Sequence, residues 1–443
     1  MDTLRLWATH RLQQLRSSLW VIPAFGVALG LAAALLLAPL GDTGAWLLPL
    51  FVGSADSARS VLSVIAGSTM TVTSLTFSLT VVALQVASGQ FTPRLMRSFL
   101  ADRGNKVVLA IFLGTFTLSL VLLQAVQGET DRFALSVPTL GVSVAIIAAL
   151  ASIIALVYFI HHLTQQLRID RVMARVGDQT VAAIEATFRP ARLDDDVDEV
   201  ELPDDVTVVP APRTGHLDDF DADAMLDAAA DAGLSVRLRP VVGAFVTGDT
   251  TLAWAWRPDG GTVDVDEARR VVVEHVVLAT DRSLGHDPSF GIRQLVDIGT
   301  RALSPGVNDP TTAVQAIQHL TRILRTMAGH DLGTLVRARD DVTVMIPRPN
   351  FADHLAMAVN QLLHYGRHDA EVLRALAQLV RDVAEGVTGP TRHEALATQL
   401  GRIARTVGDA DMDDVERAPV DDAIQVARDV LGGQDAGADP HAS

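Results

Sequence analysis

The segment Ser60–Gln90 reads SVLSVIAGSTMTVTSLTFSLTVVALQVASGQ and contains no Asp, Glu, Lys, Arg or His over its 31 residues. A helix needs about 20 apolar residues to cross the hydrocarbon core of a bilayer, which is about 30 Å thick. Three further uncharged segments flank it in the sequence, at Leu19–Leu40, Val107–Gly128 and Phe133–Ile160. Together they predict a domain of four transmembrane helices over residues 1–164.

The loops around these segments differ in basic residues, which accumulate on the cytoplasmic side of a membrane. Two of the loops, between the first and second segments and between the third and fourth, contain only Arg59 and Arg132. The remaining basic residues lie before the first segment, between the second and third, and after the fourth: Arg5, Arg11, Arg16, Arg94, Arg97, Arg103, Lys106, Arg168, Arg171 and Arg175. We therefore expect a multi-pass protein with both termini in the cytoplasm.

Hydroxyl side chains in the second segment form two stripes when 100° is allowed per helical residue. One stripe contains Ser63, Gly67, Thr71, Ser74, Ser78 and Gln85, and the other contains Thr69, Thr73, Thr76 and Thr80. One interpretation is that the first stripe lines a pathway through an oligomer, because polar rings line pores. The alternative is that the hydroxyls bond to carbonyls four residues earlier and only permit close packing.

The transmembrane segments lack side chains that titrate, and their small residues favour close packing. Proton relays and ion-coupled transport depend on ionisable residues within the membrane, so a proton-driven pump is disfavoured. A passive channel remains compatible with hydroxyls and backbone carbonyls. Gly26 and Gly30 are spaced to let the first helix approach another helix closely.

Charge divides the chain sharply. Residues 1–175 contain 12 Lys+Arg and 7 Asp+Glu, whereas residues 176–443 contain 24 and 45, a net charge of −21. Such an acidic region repels nucleic acid, which is excluded as a partner. The chain has no cysteine, which excludes disulfides, thiol redox chemistry and cysteine-ligated zinc.

Patterns beyond the membrane segments predict the remaining organisation. Helical spacing continues through a cytoplasmic extension at 165–190 and is followed by an acidic linker at 191–205. Strand-like runs between Gly and Pro predict a small β-rich unit at 206–258, then a helical domain at 264–431 with one strand at 342–346. Residues 432–443 should be disordered. The predicted fold class is mainly α, with four transmembrane helices and a cytoplasmic α+β region.

A polar corner stands out in the helical domain. Arg293, Asp297 and Arg301 are four residues apart, so Asp297 can pair with both arginines along one helix face. Asn308 and Asp309 precede Pro310, and Asp309 is a good helix cap. The corner is either a ligand or interface site or a capped, salt-bridged helix junction.

Signatures of enzymes, cofactors and metals do not emerge. There is no phosphate-binding glycine loop, no G-x-S-x-G and no H-E-x-x-H. His364 and His368 are four residues apart, but no third metal ligand accompanies them, so we interpret them as surface residues. We therefore expect no enzyme activity, no cofactor and no metal.

Two groups of motifs carry a family resemblance. The first is IAGS at 65–68, QFTPR at 90–94 and DRGN at 102–105; the second is FGIRQL at 290–295 and ALSPGVNDP at 302–310. Both resemble a bacterial family of predicted membrane proteins, domain of unknown function 2254, over most of the chain. The resemblance implies four spans, a cytoplasmic domain and location in the bacterial inner (plasma) membrane. It carries over no catalytic residue.

Two functions follow from these features. The leading hypothesis is an oligomeric channel-like protein whose second helix lines a passive pathway and whose cytoplasmic domain assembles or gates it. The alternative is a non-transporting scaffold or sensor that binds a ligand or protein through its cytoplasmic domain. The expected partners are the lipid bilayer, further copies of the chain and an unidentified small ion or ligand.

Overall fold

The computed structural model describes residues 20–40, 50–90, 102–127, 138–166, 168–190, 202–285 and 287–435. The chain divides into two compact units, Met1–Arg171 and Val172–Ser443. The fold is mainly helical, with β-structure confined, among the described residues, to the second unit.

Four long helices make up the described part of the first unit: α1 (Val21–Leu37), α2 (Ala55–Gln90), α3 (Arg103–Gln127) and α4 (Thr139–Gln166). Each coincides with a predicted segment and is long and apolar enough to cross a membrane. The 36 residues of α2 extend over about 54 Å at 1.5 Å per residue, well beyond a hydrocarbon core of about 30 Å. The four predicted apolar helices are confirmed.

Glycine allows α1 and α3 to approach closely. A Cβ atom added to Gly26 would lie 2.4 Å from the carbonyl oxygen of Ala110, and one added to Gly30 would lie 2.3 Å from that of Gly114. Real Cβ atoms cannot approach backbone this closely, so only glycine fits at both positions. The small-residue pair predicted in the first segment therefore marks a helix contact.

The predicted helical extension after the fourth span is interrupted. Helix α4 ends at Gln166 and α5 begins at Ile169, extending to Thr187. Helix α5 packs within the second unit, where Gly291 meets Thr180 so closely that a Cβ at position 291 would lie 1.8 Å from the Thr180 hydroxyl. A backbone bond from Asp331 N to Arg189 O, 2.8 Å, fixes the chain just beyond the end of α5.

The second unit contains two sheets. Their strands are β1 (Thr207–Pro210), β2 (Gly215–Phe220), β3 (Ser235–Leu238), β4 (Phe245–Val246), β5 (Thr251–Trp256), β6 (Val276–Ala279), β7 (Leu335–Arg339) and β8 (Val342–Ile346). The larger sheet has the order β1-β5-β3-β8-β7, and the smaller has the order β4-β2-β6. All pairs are antiparallel except β3 with β8.

Strand pairing joins the predicted β-rich unit at 206–258 to the predicted helical domain at 264–431. Residues of the helical domain contribute strands to both sheets. Strand β8 pairs with β3, and β6 pairs with β2. The expectation of helix from residue 264 is therefore wrong at β6, which pairs with the distant β2, and at β7, which forms a hairpin with the adjacent β8. One apolar cluster of the second unit includes Leu238, Leu278 and Val344, which come from β3, β6 and β8.

Helices make up most of the rest of the second unit. They are α6 (Ala222–Ala232), α7 (Val265–Val273), α8 (Pro288–Ala302), α9 (Pro310–Ala328), α10 (Phe351–Tyr365), α11 (Ala370–Ala384), α12 (Pro390–Asp409) and α13 (Asp414–Asp435). Helix α13 continues four residues into the segment predicted to be disordered, which corrects that boundary; residues 436–443 lie outside the described ranges. Most of the predicted acidic linker, 191–201, also lies outside them, and residues 202–205 form no helix or strand.

Gly30→Ala should destabilise the first unit, because the added methyl group would overlap the Gly114 carbonyl. Overpacking of a helix contact costs about 1–3 kcal/mol. Thermal unfolding in detergent should show a lower midpoint than wild type. The matched control is Gly67→Ala on α2, where a Cβ meets nothing within 4 Å. Equal midpoints for the two variants would contradict this contact.

Candidate functional site

The predicted pathway stripe lies on the outer surface of the four-helix unit. Ser63, Gly67, Thr71, Ser74, Ser78 and Gln85 are all exposed along α2. The Thr71 hydroxyl donates to the Gly67 carbonyl at 2.9 Å. No residue that the structure describes offers a hydrogen bond to the side chains of Ser74, Ser78 or Gln85. This face therefore presents three polar side chains, those of Ser74, Ser78 and Gln85, that the described residues leave without a hydrogen bond.

Apolar residues border the stripe on both sides. At helical spacing, Val64, Leu75 and Val82 lie along one border, and Met70, Phe77 and Val81 lie along the other, all of them exposed. The stripe therefore runs along the middle of the exposed face of α2, between two apolar borders.

The second hydroxyl stripe has a different role. Thr69, Thr73 and Thr80 turn toward the bundle, and their hydroxyls donate to the carbonyls four residues earlier at 2.7, 2.6 and 2.8 Å. Thr76 is fully buried, and its hydroxyl has no partner among the described residues. The back-bonding interpretation therefore accounts for most of the inner stripe, whereas the residues of the outer stripe are exposed.

One end of α2 is tied to α3 by charge. Arg59 Nη1 pairs with Asp56 Oδ1 at 2.9 Å, as their spacing predicts, and Arg59 Nη2 donates to the Val126 carbonyl at 3.0 Å. The guanidinium thereby satisfies a carbonyl in the last turn of α3, which has no intrahelical partner. Arg59 acts here as a helix cap.

A polar cluster that the sequence patterns did not reveal joins the start of α3 to the end of α4. Asp102 caps α3, accepting from the backbone N–H groups of Gly104 at 2.7 Å and Asn105 at 3.3 Å. The same carboxylate oxygen lies 2.9 Å from His162 Nε2 on α4. A Cβ at Gly104 would lie 2.9 Å from both of these atoms, so glycine is needed for the pair to form.

Two buried polar side chains, Gln166 and Lys106, and the exposed ring of Tyr158 lie around this pair. Gln166 Nε2 lies 2.7 Å from His162 Nε2, and the Tyr158 ring stacks on the imidazole with centroids 5.2 Å apart. Lys106, the only lysine in the chain, is fully buried one turn along α3 from Asp102. The DRGN motif at 102–105 therefore has a structural role. Asp102 caps α3, Gly104 leaves room for the contact between Asp102 and His162, and Asn105 precedes the buried Lys106.

The residues of the predicted corner in the second unit lie along α8 and in the turn before α9. Arg293 Nε lies 3.2 Å from Asp297 Oδ1 on α8, whereas Arg301 sits in the last turn of that helix. Asn308 adopts a left-handed backbone conformation with φ 48°, and Asp309 caps α9. The Thr312 hydroxyl donates to Asp309 at 2.6 Å and is the main cause of the lowered pKa of that carboxyl. The structure thus favours the capped-junction interpretation at Asp309.

A denser polar site occupies the opposite end of α8. Asp287 caps the helix through Phe290 N at 3.2 Å and accepts from Arg282 Nη2 at 2.6 Å. The Arg282 guanidinium lies 5.2 Å from the centre of the Phe290 ring. Burial raises the pKa of Asp287 above its usual range, although Arg282 opposes that shift.

Residues distant in the sequence complete this site. Asp218 of β2 is buried and accepts from Ser283 N at 2.7 Å and Ser283 Oγ at 3.1 Å. Gly243 has φ 85°, and a Cβ there would lie 2.3 Å from Asp287 Oδ2. Sequence reasoning missed Asp218 and Gly243 because contacts between distant segments bring them to α8: the pairing of β2 with β6 for Asp218, and a bond from Gly243 N to Leu217 O, 2.7 Å, for Gly243. The arrangement closes the junction between the smaller sheet and α8.

Metal chemistry receives no support in the described ranges. No group of three or more His, Asp and Glu side chains there is placed to hold a metal ion. His364 and His368 lie at the end of α10 and just beyond it, where both are exposed.

Arg282→Met should destabilise the second unit, because it leaves the Asp287 carboxylate buried without its counter-ion. Removing one partner of a buried pair typically costs about 3–5 kcal/mol. The pKa of Asp287 is raised in the folded state, so the native state binds this proton more readily than the unfolded state. The decrease in the free energy of unfolding caused by Arg282→Met should therefore be largest at neutral pH. It should become smaller as the pH falls toward about 4, the usual pKa of an aspartate, because the buried carboxyl is then protonated.

Denaturant unfolding of wild type and variant at pH 7 and pH 4 measures this effect. The double variant Arg282→Met with Asp287→Asn removes the stranded charge and should recover part of the stability at pH 7. A single variant whose loss is the same at both pH values would refute the assignment.

Comparison with known proteins places the chain in a family. A family model described as "Predicted membrane protein (DUF2254)" matches residues 16–382. Uncharacterized proteins of Mycobacterium bovis and Mycobacterium tuberculosis are each 36% identical over 431 residues, 95% of this chain and 82% of each relative. No solved structure matches the chain. The resemblance carried by the two groups of motifs is confirmed, and the chain belongs to the DUF2254 family of predicted membrane proteins.

Proposed function

We propose that this protein forms an oligomer in the membrane in which copies of α2 surround a passive polar pathway. The observation that carries the proposal is the position of the stripe from Ser63 to Gln85, exposed in the middle of the free face of a transmembrane helix. A single copy would present these groups to lipid tails.

The physical argument rests on the environment of the stripe. Hydroxyl and amide groups without partners are costly to place in hydrocarbon. Contacts between copies of α2 along the apolar borders, such as Leu75 and Phe77, would remove the stripe from lipid. Because several stripes would then face one axis, water and small solutes could satisfy the hydroxyls, as polar rings do in pores.

Orientation and regulation complete the proposal. The basic loops favour cytoplasmic termini, which would place the acidic second unit in the cytoplasm. The last span, α4, leads through residues 167–168 into α5, which packs inside the second unit. This connection suits a domain that assembles or gates the pathway.

Single cysteine variants can test the pathway, because the natural chain has no cysteine that a thiol reagent could modify. Ser74→Cys and Ser78→Cys conserve volume and should leave ion flux from proteoliposomes intact. A charged methanethiosulfonate reagent should then abolish most of that flux, because the modified side chain would occupy the pathway. Subunit number is measured on the same preparation in detergent.

Matched controls lie on other surfaces. Ile154→Cys places the thiol on α4 at an exposed apolar position, and Phe77→Cys places it on a border of the stripe. The reagent should leave flux unchanged at position 154. Equal block at 154 and 78, or no flux from a folded oligomer under varied voltage, would exclude the pathway and return the protein to the scaffold or sensor hypothesis.

The orientation has a separate test. Ser57→Cys is exposed at the start of α2, on the side opposite the basic loops. In intact cells a membrane-impermeant thiol reagent should label it, whereas Arg405→Cys, exposed on α12, should be labelled only after lysis. Labelling of both positions in intact cells, or of position 405 alone, would refute cytoplasmic termini.

A further inference from the structure

A cavity of about 350 Å³ lies between α10 and α12 in the second unit. Leu363 and Ala410, both buried, provide apolar surface in it. The polar residues that line it are Asn360, His364, Arg367, His368, Arg402, Thr406 and Asp409. Ligand pockets typically measure about 300–1,000 Å³, so the cavity fits a small molecule.

The charge environment of Arg367 and Arg402 differs from that of the arginines that pair with carboxylates. Examples of such pairs are Arg257 with Glu267 at 3.0 Å and Arg322 with Asp178 at 2.6 Å. Although residues 176–443 carry a net charge of −21, no described carboxylate forms an ion pair with Arg367 or Arg402. The cavity lining therefore has a net positive charge, two arginines against Asp409, within an acidic domain.

The hydrogen bonds of these arginines leave most of their donors unused. Arg402 donates through Nη1, to Asn360 Oδ1 and to Gln399 Oε1, the latter at 3.0 Å. Arg367 donates only through Nε, to His368 Nε2 at 3.0 Å. Nη2 of Arg402 and both Nη atoms of Arg367 make no hydrogen bond to any residue that the structure describes.

Helix capping does not account for the two side chains. Cations often serve the exposed carbonyls at a helix end. Here that role at the end of α12 belongs to Arg417, which donates to the carbonyls of Val407 at 2.8 Å and Ala410 at 2.9 Å. Arg367 and Arg402 bond only to side chains.

We propose that this cavity binds the phosphate group of a small anionic ligand. Guanidinium groups present paired N–H donors whose spacing matches phosphate oxygens, and such charge-assisted bonds are strong. Thr406 and Asn360 add neutral polar groups beside them. Asp409 is the one carboxylate in the lining and opposes binding. The phosphate belongs to a soluble metabolite or to a phospholipid headgroup.

Calorimetry on the full-length protein in neutral maltoside micelles tests the proposal, with inorganic pyrophosphate as probe. Arg402→Gln should weaken binding about tenfold or more, since a charge-assisted contact is lost. Asp409→Asn should strengthen it, because the only opposing charge is removed. Arg405→Gln is the matched control: it is exposed on the same helix and lies outside the cavity lining.

The outcomes separate the possibilities, and thermal unfolding of each variant checks its fold. The same variants are titrated with dioctanoyl phosphatidic acid below its micelle concentration. Binding of pyrophosphate that Arg402→Gln weakens assigns the cavity to a soluble ligand. Binding of phosphatidic acid alone, weakened by the same variant, assigns it to a lipid headgroup. No binding of either probe, or equal loss in Arg402→Gln and Arg405→Gln, overturns the proposal.

Discussion

Close backbone contact between α1 and α3 is the constraint on which the first unit depends. In hydrocarbon, apolar side chains gain little from leaving lipid, so helices associate through packing and backbone proximity. Gly26 and Gly30 supply that proximity against Ala110 and Gly114. With α1, α3 and α4 packed together, α2 contributes only one face to the bundle. The other face of α2, which carries the outer stripe, is exposed.

The sequence predicted those helices that are determined by residues close together in the chain. The uncharged segments predicted the four spans, and Asp309-Pro310 predicted the start of α9. Strands β2 and β7 were not predicted because they are short and contain polar residues, reading GHLDDF and LVRAR. Strand β2 also depends on β6, which lies far away in the chain, whereas β7 pairs with the adjacent β8. The break after Gln166 also escaped, since helical spacing continues across it.

The candidate sites divide in the same way. Helical spacing alone placed Ser63, Ser74 and Gln85 on one exposed line, because the period of a helix fixes which side chains share a face. At the corner around Asp297, helical spacing also predicted the pair of Arg293 with Asp297, whose Nε and Oδ1 atoms lie 3.2 Å apart. Contacts such as Asp102 with His162 join residues 60 positions apart and leave no local pattern.

The burial of Lys106 also affects the chemical reactivity of the protein. It is the only lysine among 443 residues, and its side chain is fully enclosed. The folded chain thus exposes no side-chain amine for acylation, aldehyde crosslinking or attachment of a degradation tag to lysine. Any modification at that amine requires the DRGN end of α3 to open, so acylation of Lys106 would report local unfolding there.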